Sequence, residues 1–331
     1  MATVLVTHPA ARLSTYFGER ALGQLREFAE VRINPSDQDW QGDELIAAAQ
    51  GCDIIIAYRQ TPFDAAVFAA LPQLWAVSRC AMDIRTIDVD AASQNGILVT
   101  RASAGFGTAV TEWVMGVLID AVRHISAARL QYQAGHEAQA WMGRELRGAT
   151  LGVVGYGHIG RQVCALAQAF GMQVLAHDPH VQTAEAGVSL VSWGRLLSAS
   201  DHVVCLAPAT AETENLFNAA AFAAMKPGAW FINAARGNLV DEDTLLHALD
   251  HGHLAGAALD VGRGPDQTPS LALARHPKVI ATPHIGGLTP AATEHQALET
   301  VAQTRALLQG QIPPGAVNAE HARRWRAAVQ S

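Results

Sequence analysis

The sequence predicts an α/β protein with doubly wound parallel sheets, and three observations carry that prediction. Short β-branched apolar runs alternate with helical patterns along the chain. One apolar run ends in a glycine-rich turn, followed by a helical pattern and a second run closed by an acid. The 331 residues exceed one ordinary core and suit two domains.

Residues 3–7, 53–58, 74–78 and 97–100 are short, β-branched and flanked by turn residues, so each is expected as a buried parallel strand. A long helix is expected from about 108 to 133, where the continuous apolar content of AVTEWVMGVLIDAV implies burial on more than one side. Six further strands are expected at 150–155, 173–178, 202–207, 229–234, 256–261 and 279–284, with helical stretches between most of them. Asp241 is placed to N-cap a helix running through Leu249, with Glu242 and Asp243 complementing its dipole. Thr289 is placed to N-cap a helix that has Pro290 in its first position and ends near Leu308. Pro313, Pro314, Gly315 and the segment after them are expected as a loop returning across the surface.

Composition narrows the function classes. Half the residues are hydrophobic and 16% are charged, as in a folded, well-buried protein. A net charge of −7 argues against nucleic acid as a main partner and gives no help in binding an anionic membrane. No apolar run approaches the roughly 20 residues that span a bilayer. The opening MATVLVTHPAARL starts a strand directly, so no signal peptide is expected. Cys52, Cys80, Cys164 and Cys205 are scattered and lack CxxC spacing, which suggests neither a zinc site nor a disulfide framework. Buried thiols in a reducing cytoplasm account for them, and no metal site is expected.

The segment 151–179, LGVVGYGHIGRQVCALAQAFGMQVLAHDP, carries the first chemistry. Gly155 permits a tight turn, Gly157 lets the backbone approach a pyrophosphate, and Gly160 lets the helix pack closely on the strand. The helix N-terminus, with His158 and Ile159 in the loop, offers free N–H groups and a positive dipole end to a diphosphate. His158 is read either as a pyrophosphate contact or as a solvent-facing residue. Asp178 lies 18 residues past Gly160, where a carboxylate accepts from a ribose 2′-OH and repels a 2′-phosphate. NAD is therefore expected over NADP.

A second group follows: Pro208, Arg236, Asp260 and His284, each at or just beyond the C-terminal end of an expected strand. That edge is where open α/β sheets bind ligands. An arginine there can hold a carboxylate or polarise a carbonyl, and a histidine can exchange a proton near neutral pH.

From the RTIDVDAASQNGILVT segment through LRGATLGVVGYGHIGRQV, MKPGAWFINAARGNLVDEDTLLHAL, GAALDV and TPHIGG to the closing AVN, the chain resembles the D-isomer-specific 2-hydroxyacid dehydrogenase family over nearly its whole length. The resemblance implies two Rossmann-like domains, with a cofactor domain (residues 101–285) inserted in a discontinuous, flavodoxin-like substrate domain (1–100 and 286–331). It implies a homodimer joined through the cofactor domains and a small-molecule substrate. It also implies reversible hydride transfer between NAD(H) and a 2-hydroxy/2-oxo acid. Arg236 would bind and polarise the substrate, His284 would be the acid/base, and Asp260 would contact the nicotinamide carboxamide, with Pro208 beside the cofactor.

The chain departs from the family pattern in three places. The glutamate of a DVFxxEP-like stretch is missing, because residues 260–267 are DVGRGPDQ. Asp266 is the nearest carboxylate and Gln267 the nearest amide. Asp266 is assigned to the catalytic set, against the alternative of a solvent-exposed turn residue. The carboxylate-binding loop is CAMDIR (80–85), with Ala81 and Asp83 in the usual glycine places. Arg59, Met82 and Asp83 join Arg236 as expected substrate contacts, with Arg85 or Arg59 offsetting the Asp83 charge. The structural alternative is an Asp83–Arg85 turn that never meets the substrate. Leu206 stands where the family often carries a histidine. Two other functions stay open: an NAD-sensing binding protein without turnover, and a dehydrogenase of another small anion.

Overall fold

The structure, a computed structural model, describes residues 1–330. The chain forms two compact units, one of Met1–Phe106 with the chain from Thr289 onward, the other of Gly107–Leu288.

The first unit is built on β1 (Thr3–Val6), β2 (Glu30–Ile33), β3 (Ile54–Ala57), β4 (Ala76–Arg79) and β5 (Leu98–Arg101). All pairings are parallel, in the order β2-β1-β3-β4-β5. Successive side chains leave opposite faces of a strand, and both faces here are apolar. Val4, Val6, Ile54 and Ile56 meet Phe17, Leu22, Leu25, Val301 and Trp325. Leu5, Ile55, Val77 and Val99 meet Leu45, Phe63, Val67 and Phe68. Helices on both faces are what a parallel sheet requires to hide its apolar surfaces.

The second unit holds β6 (Thr150–Val154), β7 (Gln173–His177), β8 (Val188–Leu190), β9 (His202–Cys205), β10 (Trp230–Asn233), β11 (Gly256–Leu259) and β12 (Val279–Ala281). Its parallel order is β12-β11-β10-β9-β6-β7-β8. The order reverses between β6 and β9, which makes that junction the switch point of the sheet. The core of one face is aromatic, with Phe217, Phe222 and Phe231 in mutual ring contact.

Both expected caps are present: Asp241 accepts from Thr244 N–H (3.2 Å) and Thr289 from Ala292 N–H (3.3 Å). The helix expected over 108–133 is instead two helices, Gly107–Arg123 and Ile125–Gln133. His124 breaks the run in a left-handed conformation (φ 56°), and the Asp120 carboxylate accepts from Ser126 N–H at 2.7 Å, starting the second helix. That second helix buries no residue, so only the first carries the expected burial. Strands β2 and β8 escape prediction because they are short edge strands that bury none of their residues. The segment after Gly315 is more than a surface loop. It ends in a helix, Arg323–Gln330, anchored by buried Trp325, whose Nε1 donates to Leu307 O (3.1 Å). Asn318 of the AVN motif is buried, accepting from Val99 N–H and donating to Ile97 O.

Candidate active site

The turn after β6 sits at the switch point of the second sheet. Gly155 takes φ +95°, and a Cβ there would lie 2.7 Å from Ala207 N. A Cβ on Gly160 would lie 2.2 Å from Gly155 O, so helix His158–Ala169 approaches the strand as only glycine permits. Gly157 differs, since a Cβ there would meet no protein atom within 4 Å. It is the N-cap of the helix, with no side-chain cap. The N-terminal N–H groups are thus left for a ligand, and the open side of Gly157 fits a diphosphate. Asp178, just past β7, accepts from Tyr156 N–H at 2.9 Å through Oδ2 and from His180 N–H at 3.0 Å through Oδ1. Each oxygen keeps capacity for a further donor. Ile159 is half-buried, while His158 is exposed, its Nε2 3.1 Å from the Gln162 amide nitrogen. Tyr156 is fully buried, with Arg161 over its ring at 4.4 Å.

Pro208, Arg236, Asp260 and His284 follow the C-terminal ends of β9, β10, β11 and β12, four adjacent strands. Pro208 is exposed and its carbonyl accepts from Thr213 Oγ1 (2.7 Å). Arg236 is half-buried in a turn organised by Asn233. The Asn233 side chain accepts from Ala235 N–H (3.0 Å) and donates to Arg236 O (2.9 Å), while Arg236 Nη1 donates to Ala235 O (2.7 Å). Asn233 is 1% exposed. Its place in an apolar strand end was the one available signal, since a buried amide there must satisfy nearby backbone.

Asp260 is 4% exposed, and its carboxylate binds the loop that carries His284. Oδ1 accepts from Thr282 Oγ1 (2.6 Å) and Ile285 N–H (2.8 Å), and Oδ2 accepts from Gly286 N–H (2.7 Å). His284 N–H donates to Asp260 O (2.9 Å). Most of the carboxylate's accepting capacity is therefore spent on the protein itself. His284 is exposed along part of its surface and left-handed (φ 57°). Its Nδ1 lies 2.8 Å from the backbone carbonyl oxygen of Asp266. Asp266 thus meets the imidazole through its main chain.

In the first unit, Asp83 and Arg85 form a bidentate pair: Nη2 to Oδ2 is 2.6 Å and Nε to Oδ1 is 3.0 Å. The Asp83 charge is neutralised within its own turn. Met82 is exposed and Arg59 half-buried. Arg79, unremarked by sequence reasoning, is fully buried at the end of β4. It donates to Tyr58 O, to Thr61 O (2.9 Å) and to Thr86 Oγ1 (2.7 Å), tying together two loops beyond the strand ends. Burial pulls its pKa down to about 10. Nearby His8, ringed by Phe17 and Tyr58, is held down to about 3, by burial first and the Arg79 charge second. Among the described residues no group of three or more metal-ligating side chains occurs, and no helix is long and apolar enough to cross a membrane.

A doubly wound sheet with a glycine turn and helix N-terminus at its switch point, and an acid at the end of the next strand, defines a dinucleotide-binding unit. Residues 115–286 match the family model described as D-isomer specific 2-hydroxyacid dehydrogenase, NAD binding domain. The chain belongs to this family, and its second unit is the NAD-binding one. It is 37% identical to D-3-phosphoglycerate dehydrogenase of Mycobacterium tuberculosis over 94% of this chain and 59% of that one. The crystal structure of the TT0316 protein from Thermus thermophilus superposes with a TM-score of 0.85 at 32% identity, covering 95% of this chain and 99% of that one. The apo-structure of D-lactate dehydrogenase from Escherichia coli gives 0.84 at 25% identity, covering 96% and 100%. The chain spans between 50% and 59% of the length of the first curated relatives it matches.

Proposed function

We propose that this chain transfers a hydride reversibly between NAD(H) and a 2-hydroxy/2-oxo acid. The observation that carries the reading is the presence of Arg236 and His284 beyond nearby strands of an NAD-binding unit of this family. Gly155, Gly157, Ile159, Gly160 and Asp178 would hold the cofactor, with His158 and Pro208 at its edges. Bound NAD(H) supplies the hydride chemistry. The Arg236 guanidinium, a planar fork of donors, orients the 2-oxo acid and draws charge onto the carbonyl oxygen. His284 Nε2 delivers the proton that turns that oxygen into a hydroxyl, and takes it back in oxidation. Asp260 holds the loop beneath His284. Arg59, Met82 and Asp83 are the proposed substrate contacts of the first unit, with Asp83 silenced by Arg85.

The test is an NADH-oxidation screen across 2-oxo acids of varied size and charge, with D-3-phosphoglycerate and D-lactate tried in the oxidative direction because relatives carry those names. NAD binding without turnover on any of them would favour a binding protein instead. The same proposal includes a cytoplasmic location, supported by four buried free cysteines. It also includes a homodimer through the second unit, which light scattering tests.

A further inference from the structure

We infer that Gln267 is a positioning residue: its left-handed turn aims the Asp266 carbonyl at His284, so that a main-chain acceptor sets the imidazole tautomer. The inference rests on reading His284 as the acid/base. A carbonyl oxygen only accepts, so the 2.8 Å contact requires the proton on Nδ1 and makes Nε2 the nitrogen that exchanges a proton with substrate. Among the described residues only five non-glycine residues take positive φ, and three of them are Asp266 (52°), Gln267 (60°) and His284 (57°). Such conformations persist where surroundings over-determine them, and they gather at functional sites.

The surroundings here are specific. Gly262 N–H donates to Gln267 O (2.8 Å), Gln267 N–H to Gly264 O (3.1 Å), and Thr268 N–H to Pro265 O (3.0 Å). The Gln267 side chain then crosses to the arginine's turn. Its Oε1 accepts from Gly237 N–H (3.3 Å), and its Nε2 faces Asn238 Oδ1 (3.4 Å). Gly237 follows Arg236 directly, and a Cβ on it would lie 2.0 Å from Gly262 O, so the two turns touch through bare backbone. Arg263 reinforces the contact by donating to Val240 O (3.2 Å) and Asn238 O (3.1 Å). Gln267 therefore spans the two groups of the reaction. Its backbone shapes the turn that orients His284, and its amide holds the residue after Arg236.

The experiment separates backbone from side chain in the full chain. Gln267→Gly keeps access to positive φ and loses the amide, whereas Gln267→Val loses the same amide and also resists positive φ. The His284 tautomer is read from long-range proton–nitrogen NMR of the imidazoles, with the His284→Gln spectrum giving the assignment. Wild type and Gln267→Gly are expected to show the Nδ1–H form, and Gln267→Val a mixture or the Nε2–H form. On the best substrate, kcat is expected to fall several-fold in Gln267→Gly and about a hundredfold in Gln267→Val, with NADH affinity unchanged. An Nε2–H tautomer in wild type would overturn the inference without any variant having to fold. So would Gln267→Val with wild-type tautomer and kcat. The expected tautomer without turnover on any 2-oxo acid would sink the hydride-transfer reading and leave the role of the turn standing.

Discussion

The Asp178 carboxylate accepts the backbone N–H of Tyr156 at 2.9 Å, so the acid at the end of β7 is fastened to the glycine turn after β6. A charge held in that place disfavours a 2′-phosphate by repulsion and offers an acceptor to a 2′-hydroxyl. NAD is expected to bind at least tenfold more tightly than NADP, a difference of about 1.4 kcal/mol. Asp178→Ala should narrow that gap and cost stability through the unmet Tyr156 N–H, about 1 kcal/mol. Titration of both cofactors checks this, and equal affinities in wild type would remove Asp178 from the cofactor site.

Arg236→Ala should lower kcat/KM by about a hundredfold or more while leaving NAD affinity near wild type, since the guanidinium acts on developing charge in the substrate. Arg236→Lys should rescue little, because an ammonium lacks the planar fork. Steady-state kinetics beside a cofactor titration decides the matter. Full activity in the alanine variant would take Arg236 out of the mechanism.

Asp260→Asn exchanges a pure acceptor for one oxygen and one amide group at a site where Thr282, Ile285 and Gly286 all donate. At least one loop N–H would face another donor. A loss of about 1–3 kcal/mol is expected by urea denaturation, together with lower kcat from a loosened His284. Wild-type stability and turnover in this variant would show that the loop holds without the charge.

His8 and His202 are buried, and burial is the leading cause that holds their pKa values down to about 3 and about 4. In the unfolded chain both titrate near 6.5. Between these values the unfolded state binds more protons, so stability is complete above about pH 6.5 and is lost as pH falls toward 4 and then 3. Each histidine should contribute a slope of about 1.4 kcal/mol per pH unit within its window. His8→Phe, which suits a site between the Phe17 and Tyr58 rings, should remove one of the two slopes. Urea midpoints from about pH 4.5 to about pH 7.5 measure this, and an unchanged slope would mean that His8 protonates in place.

The glycine turn, Asp178 and the strand ends carrying Arg236, Asp260 and His284 were legible in the sequence because each signal is local. Gly155, Gly157 and Gly160 have separate steric jobs within one short turn, and the strand run, turn and helix pattern around them are contiguous. The break at His124 was hidden because apolar periodicity carries no information about a left-handed residue followed by a helix that Asp120 starts. The Arg323–Gln330 helix was hidden for a different reason: its one buried residue is Trp325, and it stands on a tertiary contact with Leu307.

The sequence alone determined the α/β class, the nucleotide turn and the residue types at the sheet edge. Short-range sterics and hydrophobic periodicity suffice for these. Only the tertiary structure decided what each group touches. It put the Asp266 carbonyl on His284 Nδ1, spent the Asp260 carboxylate on the loop beneath that histidine, and closed Asp83 onto Arg85. Hydrogen-bond partners depend on side-chain direction and on backbone dihedrals at distant turns, which residue identity and spacing do not encode.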